Sequence, residues 1–355
     1  MKKFLILIIF ITSVFAKTPS IESMISQMLM VGVGGSSSEE KWVKQLQKDI
    51  QEDKVGGIIL FSKNIENPKK LKEFTNFFKK IKTKYPLFIA IDQEGGKVQR
   101  LTKKNGFSVY PSAKVIARDK NLNEAYTIYK KLADELKLYG FNVNFAPVVD
   151  LDINPKSPAI GDKERSYSEK EEIIISYANE FINAQNSAGI ISVLKHFPGH
   201  GSAVSDSHKR LTDVTDTWQY SELKPYYYFS KYEKVNAVMV GHITLKKFDK
   251  KYPASLSKNM INGVLREQLK FQGVVFSDDM NMKAISDIYT LKQAVIKAIN
   301  AGVDVLVFSS YFTQKSSVVK EVRGIILQAV KSGDIDKKTI ENSYNRVIRL
   351  KNGIN

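Results

Sequence analysis

The 355-residue sequence contains no cysteine. That excludes disulfides and the lipid-modified cysteine of a bacterial lipoprotein, while leaving either redox compartment open. Histidine is scarce as well, with four in the whole chain, so few of the usual zinc ligands are available. Beyond the N-terminal segment no hydrophobic run approaches the length of a bilayer span, and no Pro-, Gly- or Ser-rich linker divides the chain. No Gly-x-Gly-x-x-Gly turn follows the first apolar run, so the usual fingerprint of a dinucleotide site is missing. Acidic residues are in deficit: 37 Asp and Glu face 54 Lys and Arg, a formal charge of +17. The lysines are scattered through helical segments such as 69–84 and are not interleaved with aromatics. A solvated basic surface therefore explains the charge better than nucleic-acid binding, and would suit work on an anionic cell-wall polymer.

Residues 1–16 carry two lysines, an apolar stretch over 4–15 and Val14-Phe15-Ala16 ahead of Lys17. A positive start, an apolar core too short to span and small residues at the −3 and −1 positions describe a cleavable secretory signal, with an uncleaved anchor as the alternative. The protein is expected to be exported, into a periplasm, with no stable membrane insertion after cleavage. About 340 residues then remain, read as one domain over 17–355.

Short apolar runs at 29–33, 57–61, 87–91, 143–148, 192–194, 237–240, 273–276 and 303–308 read as buried strands. Segments of helical period lie between them, for example 69–80, 122–138, 170–188, 261–269 and 291–301. Such alternation requires a parallel sheet with helical crossovers, and eight repeats predict an α/β fold closed as a (β/α)8 TIM-type barrel; an open doubly wound sheet is the alternative. Polar residues follow the strands: Asp92 and Glu94 the third, Asp150 the fourth, Lys195 and His196 the fifth, His242 the sixth, Asp278 and Asp279 the seventh. One aspartate so placed usually caps the next helix. Five strand ends doing so together point polar groups at one mouth of the barrel.

The densest cluster is Lys195-His196-Phe197-Pro198-Gly199-His200-Gly201 with Asp206-Ser207-His208, which holds three of the four histidines. Three imidazoles could bind a metal, but Pro198 and Gly199 prevent a helix between His196 and His200 and remove the common i, i+4 ligand spacing; no metal is expected. Histidines that merely cap backbone groups are the other structural alternative. Asp278, at the end of an apolar run, has the setting of a carboxylate that attacks or stabilises an oxocarbenium-like centre, and Asp279 could take that role instead. Asp206 can orient and polarise His208 as a proton donor, in place of a second carboxyl acid. The loop 198–208, with two glycines and three serines, reads as a flap that closes over substrate.

These segments resemble glycoside hydrolase family 3. The resemblance is carried, in order, by Asp92-Gln93-Glu94-Gly95-Gly96-Lys97-Val98-Gln99-Arg100, Phe145-Ala146-Pro147-Val148-Val149-Asp150-Leu151-Asp152, Arg165-Ser166-Tyr167, residues 195–201, Asp206-Ser207-His208 and Phe276-Ser277-Asp278-Asp279-Met280. More narrowly the chain is similar to the single-domain β-N-acetylglucosaminidases of the NagZ type, which act in peptidoglycan recycling. The resemblance implies a retaining exo-β-N-acetylglucosaminidase without a cofactor, acting on N-acetylglucosamine-containing glycans such as muropeptides or chitooligosaccharides. It implies Asp278 as nucleophile, His208 with Asp206 as acid/base dyad, and Asp92, Arg100, Arg165, Lys195 and His196 as residues that hydrogen-bond the sugar. Phosphorolysis, with phosphate in place of water, is the rival chemistry, and a catalytically silent sugar-binding barrel the rival outside catalysis. The sequence departs from the family pattern at Lys97, where arginine is usual, at Ser202-Ala203, which replaces a more acidic pair, and at Lys163-Glu164, which lengthens the loop before Arg165.

Overall fold

The computed structural model describes residues 19–207, 210–312 and 316–354. The expected signal segment 1–16 and His208 lie outside the described residues.

The chain forms a parallel barrel wrapped by helices. Its strands, taken in order, are Leu29–Gly32, Gly57–Ile59, Phe88–Ile91, Val143–Asn144, the pair Ile191–Ser192 and Leu194–Phe197, Ala237–Val240, Val274–Asp279 and Val305–Phe308. Each of the first four pairs in parallel with the next, and the first pairs with the eighth. The fifth position is one strand broken at Val193: Ile191–Ser192 pairs with the fourth strand, and Leu194–Phe197 pairs with the sixth. The break lets one stretch of chain serve both neighbours and close the sheet. Side chains alternating along the strands fill the interior, with Met30, Phe88, Phe145, Met239, Phe276 and Val307 among them.

Expected strand limits move where polar residues proved to belong inside the barrel wall. The fifth strand was expected to stop at 194 and the seventh at 276, yet Lys195, His196, Asp278 and Asp279 all lie within strands. Buried strand positions accept such residues only when each polar group is paired, and that pairing is described below. The fourth strand is shorter than expected because Pro147 has no N–H for the ladder. Asn144 compensates with its side chain: Oδ1 accepts from Gln93 N at 3.0 Å and Nδ2 donates to Gln93 O at 3.0 Å.

The helices follow their sequence signals. Pro68–Lys79 opens with Asn67 accepting from Lys70 N and Pro68 in the first turn. Leu122–Leu138 and Leu291–Ala301 each start with a reciprocal capping box, Asn121 with Glu124 and Thr290 with Gln293. The segment expected at 261–269 is a helix over Asn259–Gln268 with the wider i→i+5 bonding. The C-terminal helix Lys337–Lys351 stoppers the barrel floor, where Val347 and Leu350 pack on the interior cluster. Lys351, 1% exposed, donates to Gln27 Oε1 at 2.7 Å and Gly56 O at 2.6 Å and lies over the Phe88 ring. No helix among the described residues is long and apolar enough to cross a membrane.

Candidate active site

A cavity of about 440 Å³ opens at the C-terminal mouth of the barrel, lined by Phe61, Asp92, Glu94, Lys97, Arg100, Lys163, Arg165, Lys195, His196, Met239, Asp278 and Asp279 among others. Side chains from the third, fourth, fifth and seventh strand ends therefore converge there, as the parallel topology requires. Of the residues expected from sequence, it brings together Asp92, Arg100, Arg165, Lys195, His196 and Asp278.

The loop after the third strand returns Arg100 to the cavity. Gln93 Oε1 accepts from Arg100 N at 2.8 Å and Leu101 N at 3.1 Å, so one buried amide closes the loop on itself. Gly95 makes the reversal with φ 98°, and a Cβ there would lie 2.3 Å from Pro111 O. The closure sets Arg100 Nη2 3.1 Å from Asp92 Oδ2.

Lys195 is the hub of the cluster. Its Nζ lies 2.8 Å from Asp92 Oδ1 and 2.7 Å from Glu94 Oε1, and Arg165 grips Glu94 with two donors, Nε at 2.8 Å and Nη2 at 2.7 Å. Burial by itself would raise both carboxyls, but Lys195 with Arg100 outweighs it at Asp92, and Arg165 with Lys195 at Glu94. Both are held below the usual carboxylate range and are ionised. The ammonium has three N–H groups and spends two on these carboxylates, which leaves one for a ligand. Fixed carboxylate acceptors beside a spare cationic donor suit vicinal hydroxyls, which both donate and accept.

A second chain of contacts braces His196. Its Nδ1 lies 2.7 Å from Asp150 Oδ2, its Nε2 is 3.4 Å from Arg165 Nη2, and Asp150 also accepts from the backbone N–H of His196 and of His200. Burial opposes ionisation of Asp150, yet His196 keeps its carboxyl below the ordinary value. His200 turns away to Ser207 Oγ at 2.9 Å, and burial with the neighbouring His196 lowers it to about 4, so it is neutral near pH 7. Gly201 packs so closely that a Cβ would fall 1.5 Å from Leu151 O.

Glu222 lies under this loop, fully buried, with Oε2 accepting from Gly201 N at 3.2 Å. Burial, and next the charge on Asp150, raise it to about 8 from 4.5. A carboxyl that binds its proton more tightly when folded gives stability that is complete below its unfolded pKa and is lost as pH rises through about 8. Glu222→Gln is neutral at every pH. It is expected to raise Tm relative to the parent more at about pH 9 than at about pH 6, and equal shifts at both would show that Glu222 is ionised in the fold.

Asp278 and Asp279 both line the cavity, although adjacent residues of a regular strand point to opposite faces. The pairing register with the eighth strand shifts between Phe276 and Asp279, which breaks the alternation at the mouth. Asp279 Oδ1 accepts from Ser309 N at 2.8 Å and Asn281 N at 3.0 Å, so this carboxylate holds the strand-end turn. Asp278 Oδ1 accepts from Asp279 N at 2.8 Å. His242, at the sixth strand end, is buried and engages Ser255 Oγ and Asp279 O, a bracing position. Asp206, 10% exposed at its side chain, has Oδ2 3.7 Å from Lys163 Nζ; His208, with which it was expected to pair, falls outside the described residues.

Sequence reasoning left Glu94 and Asp150 as strand-end acids without a task, and they are the ionic partners of Arg165 and His196. Strand-end position was the available signal. Lys163 was visible only as an insertion, and Glu222, in an ordinary Ser-Glu-Leu-Lys turn, gave no signal.

Residues 20–350 match the model of the glycosyl hydrolase family 3 N-terminal domain. The chain is 30% identical over 329 residues to beta-hexosaminidase A of Pseudoalteromonas piscicida, covering 86% of this chain and 55% of that protein. It is 34% identical over 285 residues to the beta-hexosaminidase of Haemophilus influenzae, covering 78% of each. Its structure resembles a family 3 beta-N-acetylglucosaminidase from Paenibacillus sp., with TM-score 0.86 and 33% identity, covering 95% of this chain and 63% of that one. The chain thus spans little more than half the length of some relatives and most of the length of others. With the matched model spanning nearly all of it, the chain belongs to glycosyl hydrolase family 3.

Proposed function

We propose that this protein is a retaining exo-β-N-acetylglucosaminidase that releases terminal N-acetylglucosamine from muropeptide or chitooligosaccharide fragments. The observation that carries the reading is the buried Asp92–Lys195–Glu94–Arg165 cluster sharing one cavity with Asp278. Such a cluster fits the hydroxyls of one sugar ring, while Asp278 offers a carboxylate at the same mouth. The family relatives named beta-hexosaminidase support the same substrate class.

In the first step Asp278 Oδ donates an electron pair to the anomeric carbon as the glycosidic C–O bond breaks. The departing oxygen takes its proton from His208, whose imidazolium Asp206 orients and stabilises. In the second step the now neutral imidazole removes a proton from water, the water oxygen attacks the anomeric carbon, and the Asp278–sugar ester bond breaks. Two inversions return the β configuration. Every proton and electron pair is carried by the chain's own groups and by water.

The test is hydrolysis of an aryl β-N-acetylglucosaminide followed by proton NMR. The β-anomer is expected first, at a rate indifferent to phosphate. Initial α-anomer would exclude the covalent route, a sugar phosphate formed only with phosphate present would indicate phosphorolysis, and binding without turnover a silent barrel. Export is part of the proposal: the mature chain is expected to begin at Lys17 in a periplasmic fraction, and an intact Met1 chain confined to the cytosol would exclude it.

A further inference from the structure

We infer that a linear polyanion is held by lysines on the outer face of the helix Pro68–Lys79 and on the two turns beside it, Ser62–Asn64 and Lys103–Asn105, along a track that starts at the wall of the candidate active-site cavity. The link from binding to turnover rests on the proposed glycosidase reading, whereas the track itself does not.

Local sequence lays out the track. Leu71, Phe74, Thr75 and Phe78 turn inward and are buried, which leaves Lys69, Lys72, Lys79 and Lys80 exposed on the other side at helical spacing. The second strand delivers the chain to the barrel mouth, so the helix begins there and returns toward the floor. Its outer face is about 18 Å long at roughly 1.5 Å per residue. At the mouth end Asn105 is the clasp. Its Nδ2 donates to Ile65 O at 2.7 Å and to Glu66 O at 3.0 Å, which sets the exposed Lys103 and Lys104 beside the start of the helix. Lys63 Nζ lies 6.0 Å from the centroid of the Phe61 ring, and Arg100 Cζ lies 5.9 Å from the same centroid. Phe61 and Arg100 both line the cavity, so the row of cations continues to its wall.

Few acids answer these lysines. Glu66 pairs with Lys70, and Glu73 is the one other carboxylate in the sequence between 63 and 84. Among the described residues, Lys63, Lys69, Lys72, Lys103 and Lys104 have no ion-pair partner. Their ammonium groups are spread along the surface and do not converge, so a compact anion meets one or two of them while a chain of repeated charges meets most. Among the described residues from 62 to 84 no large apolar or aromatic side chain is exposed. The face therefore lacks the apolar anchor of a helix that lies in a membrane surface and the stacking platforms of a single-strand nucleic-acid site. A glycan polymer that bears carboxylate or phosphodiester groups fits it, because charge alone grips the polymer and the cavity at the end of the track takes the sugar.

Binding and turnover by the full chain provide the test. The combined variant Lys63→Gln, Lys69→Gln, Lys103→Gln and Lys104→Gln is expected to bind poly-L-glutamate and long-chain polyphosphate at least about tenfold more weakly at low salt, with a log–log salt slope shallower by roughly 0.7 per lysine. The same charge change elsewhere, Lys292→Gln, Lys331→Gln, Lys337→Gln and Lys338→Gln, is expected to weaken binding by less than about twofold. Equal loss in both variants would overturn the track in favour of diffuse attraction by the net charge of +17. Retention of one polymer and not the other by the parent supports the track and names the carboxylate or the phosphate as its ligand. Capture by phosphatidylglycerol vesicles that depends on the four lysines, with neither polymer retained, would overturn a polymer as the occupant. On carboxymethyl chitin, an anionic polymer of the proposed sugar, the track variant should lose about tenfold in kcat/KM while keeping the parental value on a neutral aryl β-N-acetylglucosaminide. An unchanged value on carboxymethyl chitin would overturn the delivery of substrate by the track. A parent that binds the polymers and leaves the aryl glycoside intact would overturn the glycosidase reading and support the track alone.

Discussion

Asp278→Ala is expected to lose activity by on the order of 10³-fold or more while melting within a few degrees of the parent. Both substrate classes should suffer equally, because an aryl glycoside and a disaccharide each need the carboxylate at the anomeric carbon whatever group departs. The fold should survive, since the change removes a polar side chain at the rim of a cavity and empties no apolar volume. Asp279→Ala is the informative contrast. That carboxylate accepts from Ser309 N and Asn281 N, so its loss leaves two strand-end N–H groups unpaired and should lower Tm as well as rate. Near-parental turnover in Asp278→Ala with abolished turnover in a folded Asp279→Ala would exchange the roles of the two residues.

The second large effect separates the halves of the mechanism through the leaving group. His208→Ala should slow release of a sugar alkoxide by about 10²- to 10⁴-fold, the usual contribution of a general acid. An activated aryl substrate, whose phenolate departs with little protonation, should be glycosylated at a rate much nearer the parent's. Asp206→Ala should show the same pattern in milder form, since in the proposed mechanism Asp206 only orients and charges the histidine. Pre-steady-state bursts for the two substrates on each variant measure the first step directly. Equal loss on both in His208→Ala would place the acid elsewhere.

The order of strands and helices was legible because periodicity is a property of local sequence. Strand limits were less so. Lys195, His196, Asp278 and Asp279 look like loop residues by polarity, and only their partners reveal that they lie in the wall. Those partners are remote in sequence: Lys195 meets Asp92 from 103 residues away, and Arg165 meets Glu94 from 71. The candidate site was therefore legible as a set of residue types at strand ends, while the pairing that ionises Asp92 and Glu94 was not. Glu222 marks the far limit, because its altered acidity comes from the lid of protein above it and no local pattern encodes that.

The lysine at the barrel floor links the two ends of the described chain. Lys351 meets Gln27 across 324 residues, and Gly56 across 295. Contacts of such sequence separation can form only after both partners have left the ribosome, and they are slow to find by chain diffusion. Until the last helix arrives, Gly56 O lacks its Lys351 partner and the apolar floor of the barrel lacks the cover of Val347 and Leu350. Nascent chains halted before residue 337 should accordingly be trapped by chaperones and cut readily by protease, whereas chains carried a few turns further should become resistant in one step. The Asp92–Lys195–Glu94–Arg165 cluster lies at the other mouth, yet its registration is expected to wait on this final closure. Formation of the proposed active site is thus expected to be timed by residues at the opposite end of the barrel.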